Sequence, residues 1–148
     1  MARVLVTGGS GLLGSTLVPM LRARGHVVGL LARNAGDGYA ADLTDGQSAF
    51  AALSRAAPEV IVNLVAATNV DDCERDPTMA FMANARTVQH LAAWMQQSAA
   101  PCHLVQISTD QVYDGAGPHV ESEVIPVNYY AYSKLLGEYF AASVGATV

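Results

Sequence analysis

Tyr130 and Lys134 stand four residues apart, the spacing that brings two side chains onto one face of a helix, and Lys134 is the chain's one lysine. A phenol with an unperturbed pKa of about 10 is a poor acid-base catalyst near neutrality. A lysine cation beside it favours the phenolate and lowers that value, so such a pair fits proton transfer. Six tyrosines occur in 148 residues, so accident would put one four places before a lone lysine only roughly 4% of the time. Tyr132 has the wrong spacing. Thr109 follows an apolar run, and a hydroxyl at the carboxyl end of a strand can donate to a substrate carbonyl, although a strand-ending threonine read alone is usually structural.

The second chemical feature is Thr7-Gly8-Gly9-Ser10-Gly11-Leu12-Leu13-Gly14. Gly8 permits a tight turn, Gly11 lets backbone approach a pyrophosphate, and Gly14 lets helix and strand pack closely. The N–H groups and partial positive charge of a helix N-terminus suit that anion. Gly8, Ser10, Gly11, Leu12, Leu13 and Gly14 are therefore candidate dinucleotide contacts. About 20 positions on, an acidic residue would hold the ribose hydroxyls of NAD, but Arg33 and Asn34 stand there. Arg33 can fork onto a 2′-phosphate, so NADPH is expected, with NADH the alternative because Asp37 can also reach the ribose.

These residues need a frame that brings them together. Arg3 to Thr7 reads as a buried strand stopping at the glycine turn. Leu13, Leu17, Met20 and Leu21 then recur at helical spacing as far as Gly25, with Pro19 predicting a kink. Further strands are expected at His26 to Leu31, Tyr39 to Asp42, Val60 to Val65 and His103 to Ser108, buried on both faces. Gln47 to Ala56 reads as a helix, and a longer one follows Pro77 with Phe81, Ala85, Val88, Ala92 and Met95 on one face. Ala66 and Ala67, just past strand four, would flank the cofactor, while Asn63 and Asn84 read as structural. A loop from Asp114 to Asn128 leads to a helix from about Tyr129 to Ala142, and loops of that length are usually functional. Strands alternating with helices imply an α/β fold, a Rossmann-like doubly wound parallel sheet with helices on both faces. Ala146-Thr147-Val148 reads as the start of a sixth strand, so the expectation is one NAD(P)-binding domain over 1–148 that stops before its last strands and its substrate-binding portion.

Composition narrows the partners. At this length folding buries roughly 68–70% of the unfolded surface, enough for one core. Hydrophobic residues make up 51% and charged residues 14%, too apolar for disorder, and Gly, Pro and Arg interrupt any membrane span. A net charge of −5 with scattered arginines argues against nucleic acid. Cys73 and Cys102 lack metal-knuckle or redox spacing, so no metal site is expected and a reducing compartment fits. Met1 to Thr7 is too short for a signal-peptide core, which makes the cytoplasm the expected location.

The T-G-x-x-G-x-x-G spacing resembles that of extended short-chain dehydrogenases/reductases. Within them, Ser108-Thr109-Asp110-Gln111-Val112-Tyr113-Asp114-Gly115 resembles the S-T-D-Y-V-F-D-G signature of dTDP-4-dehydrorhamnose reductases. Asn128 to Glu138 resembles their tyrosine-lysine helix, and Asn69 to Glu74 with Pro77 and Asn84 resembles their segment after strand four. The resemblance implies NADPH-dependent reduction of the 4-keto group of a nucleotide-linked deoxysugar. Thr109 would orient the carbonyl, Tyr130 donate the proton, and Lys134 tune Tyr130 while holding the nicotinamide ribose. Asp42 and Leu43 would hold the adenine, and Asp110 and Gln111 would shape the sugar site, Gln111 departing from the usual aromatic residue. Two other readings stay open: a non-catalytic module like the regulatory β subunit of methionine adenosyltransferase, and a nucleotide-sugar epimerase or dehydratase. A homodimer is a further expectation.

Overall fold

The computed structural model describes residues 1–34, Gly36 and 38–148, so Asp37, the competing ribose partner, lies outside the described residues. Five strands form one parallel sheet: β1 (Arg3–Thr7), β2 (Val27–Ala32), β3 (Tyr39–Ala40), β4 (Val60–Asn63) and β5 (His103–Gln106), ordered β3-β2-β1-β4-β5. The order reverses beside β1, and open α/β sheets bind ligands at such a switch point. Thr147 adds a parallel bridge to Val105, where the sequence predicts a sixth strand to begin.

Alternation along the strands splits the core in two. Leu5, Leu31, Ile61 and Leu104 face one side, packed with residues of α2 (Gly46–Ala56), α5 (Thr87–Gln97) and α6 (Tyr129–Ala142), among them Leu53, Leu91, Trp94 and Ala141. Val4, Val6 and Val62 face the other, against Val18 of α1 (Leu12–Ala23). Helices thus cover both faces.

The predicted burial of both strand faces fails on β2. β3 pairs with β2 only at Leu31 and Ala32, which leaves Val27 55% exposed. On α1 the periodicity holds for Leu17 and Leu21, which pack against the core around Val4, Val6 and Val62, but not for Leu13 and Met20, which are exposed, while Gly14 and Val18 are buried. A Cβ on Gly14 would meet three backbone atoms of Gly9 at 2.4–2.6 Å. Close approach to the turn at Gly14 therefore sets this helix's inward face together with the apolar packing of Leu17, Val18 and Leu21. α1 continues through Pro19 without a break, and Gly25, at φ +83°, ends it.

Between β4 and β5 lie α3 (Val70–Arg75), which the sequence reading passes over, and then an unbroken helical run. That run comprises α4 (Pro77–Phe81), a π-helical turn (Met82–Arg86) and α5. The single long helix predicted after Pro77 thus contains a π turn, a feature frequent at functional sites. Among the described residues no helix is long and apolar enough to cross a membrane.

Candidate active site

The glycine turn opens on the carboxyl edge of the sheet. Gly11 donates its N–H to the Gly8 carbonyl at 3.0 Å and then serves as N-cap of α1 without any side-chain cap. By contrast Asp45, Asn69, Asp76 and Asn128 cap α2, α3, α4 and α6 with side-chain oxygens. The first N–H groups of α1 are left without a side-chain acceptor, which is what an anion-binding helix terminus requires. A cleft of about 730 Å³ lies in front of it, lined by Gly8, Ser10 and Gly11 on one side and by Arg33, Asp42 and Leu43 on the other. Ala66 and Ala67 form part of its wall, and the helical run after Pro77 adds Met79, Met82, Ala83 and Thr87. Eight of the predicted contacts therefore share one cavity. Leu12 and Leu13 do not line it and stand exposed, while Gly14 packs on Gly9 behind the turn.

At the adenine end predicted for it, Asp42 accepts from the Thr44 hydroxyl at 2.7 Å and the Thr44 N–H at 2.9 Å. The hydroxyl bond, then the N–H bond, and to a lesser degree the Arg33 charge hold its carboxyl below the usual range. Arg33 is exposed just past the end of β2 and lines the cleft, a cation that suits a phosphate group.

Tyr130 and Lys134 lie one turn apart on α6, 7% and 4% exposed. Tyr130 belongs to a buried cluster with Cys73 and Ala80, against which the cleft residues Ala67 and Met79 pack, but it is not part of the cleft lining. Lys134 does not itself line the cleft. Its Nζ donates to the Ile107 carbonyl at 2.5 Å, and burial pushes its pKa below the ordinary lysine value while the Glu138 carboxylate pulls it back up. A close glycine approach and a set of Asn84 hydrogen bonds hold α6 in place. Gly137 leaves no room for a Cβ, which would sit 2.5 Å from the Asn84 carbonyl, and Asn84 itself donates to Ser133 Oγ and exchanges bonds with the Ala67 backbone.

Thr109 does not close strand five, which ends at Gln106. It caps instead a 3-10 turn (Asp110–Val112), its hydroxyl accepting from the Gln111 N–H at 3.2 Å, because the chain leaves the sheet after Gln106 and turns beneath α6. Asp110 and Gln111 are exposed on that turn, and the Gln111 side chain accepts from Asn128, the cap of α6, at 3.4 Å. The turn and the helix start are thereby tied together.

Sequence reasoning missed a buried polar row along the strand ends. Thr7, Asn63 and Gln106 are register partners. The Thr7 hydroxyl donates to Asn63 Oδ1 at 2.5 Å, Asn63 Nδ2 donates to Gln106 Oε1 at 2.7 Å, and Gln106 Nε2 donates to the Ile107 carbonyl at 2.9 Å. Ile107 thus receives both the row's last donor and Lys134. The available signal was a polar residue ending each apolar strand; which of them face one another is a matter of register.

A match to the RmlD substrate binding domain family covers residues 2–147. A dTDP-4-dehydrorhamnose reductase of Streptomyces griseus is 39% identical over 139 residues, 92% of this chain and 43% of that protein. The crystal structure of a hypothetical dTDP-4-dehydrorhamnose reductase from Sulfolobus tokodaii superposes with a TM-score of 0.85 at 38% identity, covering 94% of this chain and 51% of the other. That of the Bacillus anthracis dTDP-4-dehydrorhamnose reductase, in complex with NADP, gives 0.83 at 27% identity over 97% and 50%. The chain spans about half the length of the curated relatives it matches.

Proposed function

The chain belongs to the RmlD substrate binding domain family, and on that premise we propose that it is the cofactor-binding portion of a reductase acting on the 4-keto group of a nucleotide-linked deoxysugar. dTDP-4-dehydrorhamnose is the substrate its relatives' names suggest. One observation carries the reading: a single cleft joins the uncapped helix N-terminus at the glycine turn to Arg33, Asp42 and Leu43, and two of its lining residues, Ala67 and Met79, pack against the cluster that contains Tyr130.

When bound, a reduced nicotinamide supplies the hydride. Gly8, Ser10, Gly11 and the first turn of α1 would hold its pyrophosphate, with Gly14 setting that helix close to Gly9 of the turn and Leu12 and Leu13 contributing backbone only. Asp42 and Leu43 would border the adenine, Ala66 and Ala67 the cofactor's flank. Arg33 would take a 2′-phosphate, which favours NADPH over NADH. Tyr130 donates the proton that the carbonyl oxygen needs as the ketone becomes an alcohol. Lys134, held on the Ile107 carbonyl, sets its charge beside that phenol and holds the nicotinamide ribose. Thr109 orients the carbonyl, and Asp110 and Gln111 border the sugar. The two free thiols, Cys73 and Cys102, fit a cytoplasmic location, and pairing of two copies belongs to the same proposal.

The test is NADPH oxidation by the longest parent chain offered a panel of nucleotide 4-keto sugars. Turnover with dTDP-4-dehydrorhamnose is expected. Nucleotide binding with no oxidation on any member of the panel would favour a binding module.

A further inference from the structure

Two neighbouring residues at the exit of β5 are gripped from two points one turn apart on α6. The Ile107 carbonyl accepts from Lys134, and the Ser108 hydroxyl donates a short hydrogen bond to the Glu138 carboxylate. Gln106 Nε2 holds the same carbonyl from the sheet side. Thr109 is the next residue, so this double grip fixes where the strand-five exit delivers it. Nothing in the proton transfer itself requires an acid at position 138.

We propose that Glu138 is a positioning residue for the Tyr130–Lys134 pair: its carboxylate anchors Ser108, and its negative charge lies one turn along α6 from the ammonium. The inference rests on the role given above to Lys134. A lysine that is 4% exposed loses hydration, which favours its neutral form, and a neutral lysine cannot stabilise a phenolate. Glu138 opposes that loss and is the charged group that acts on Lys134. Charges on the other elements packed against α6 are engaged elsewhere or exposed. On α3, Asp72 pairs with Arg75 and Glu74 accepts from the Tyr129 N–H. On the π turn, Arg86 lies over the Phe81 ring and donates to Gln89, and Asp110 of the 3-10 turn is exposed. His90 of α5 bonds to the Leu43 carbonyl, and the Cys73 thiol is buried and raised in pKa, first by that burial.

Because Lys134 is the one lysine of the chain, lysine-selective ¹³C labelling gives one side-chain signal whose shift follows its protonation. In a longer form the Lys134→Arg variant identifies that signal. Glu138→Gln keeps an oxygen for Ser108 and removes the charge, so the Lys134 midpoint is expected to move to lower pH. Ser108→Ala frees the carboxylate to turn to the ammonium, and the midpoint is expected to rise. Glu138→Asp, which keeps the charge, should stay closer to wild type than Glu138→Gln. A midpoint unchanged in Glu138→Gln overturns the proposal, because a merely structural acceptor would leave it in place. Should Glu138→Gln fail to fold, an unchanged midpoint in Ser108→Ala does the same. The readout needs neither cofactor nor turnover, so it fails or succeeds independently of the reductase assignment.

Discussion

Gly14→Ala tests whether the glycine turn and α1 are fitted to each other as closely as the dinucleotide reading requires. The added Cβ would lie 2.4 Å from the Gly9 carbonyl oxygen and 2.5 Å from Gly9 Cα, against ordinary contacts of 3.4 Å or more. All the obstructing atoms are backbone, so no rotamer relieves them, and α1 must move by about 1 Å. Alanine in a helix gains about 1 kcal/mol over glycine. Overpacking of this kind costs about 1–3 kcal/mol, and against unyielding backbone the upper part of that range applies. The net expectation is a loss of about 1–2 kcal/mol. Trp94, the one tryptophan, is 6% exposed and bonds to Ser54, so its fluorescence follows unfolding in urea. With a slope of roughly 2 kcal/mol per molar, the midpoint should fall by about 0.5–1 M. Gly46→Ala is the control, since its Cβ meets only the His90 ring at 3.3 Å, and it should lie within about 0.5 kcal/mol of wild type. Displacing the α1 N-terminus should also weaken NADPH binding by about tenfold, the equivalent of about 1.4 kcal/mol. If Gly14→Ala matches or exceeds wild-type stability and binds NADPH undiminished, the close approach is not what holds the turn.

Arg33→Ala should weaken NADPH binding by about 10- to 100-fold, the worth of a charge-assisted pair, and leave NADH nearly unchanged in fluorescence titrations. An equal loss for both cofactors would remove Arg33 from phosphate recognition. Burial pushes the Cys102 thiol up to about 11, so at pH 8 a disulfide reagent should find about a hundredfold less thiolate there than in a free cysteine. Reaction at the free-thiol rate in the folded protein would contradict that burial. Lys134 is lowered by burial below its ordinary 10.5, so just under that value the unfolded chain binds the extra proton and stability rises with pH. The rise should flatten in Lys134→Met, measured as the pH dependence of the urea midpoint, and an unaltered slope would place the lysine in solvent.

Features carried by local spacing were legible in the sequence. The strand, turn and helix around Gly8, Gly11 and Gly14, and the Tyr130–Lys134 step, lie within a few residues of one another, and the structure joins the glycine turn to one cleft. Features set by register and by packing between distant segments were not. Asn63 meets Thr7 and Gln106 only because three parallel strands end level, and Glu138 reaches Ser108 only because α6 returns over β5. A hydrophobic count placed Leu13 inward on α1, but a glycine that must touch backbone contributes nothing to such a count. The same blindness put Thr109 at a strand end, where the chain has already turned away.

The most direct test is turnover of dTDP-4-dehydrorhamnose with NADPH by the longest parent chain carrying Tyr130→Phe, compared with its wild type. Removing the phenolic proton should lower kcat by about 10²–10⁴-fold while cofactor binding stays intact. Wild-type turnover in that variant would contradict Tyr130 as the acid and, with it, the chemistry assigned to this cleft.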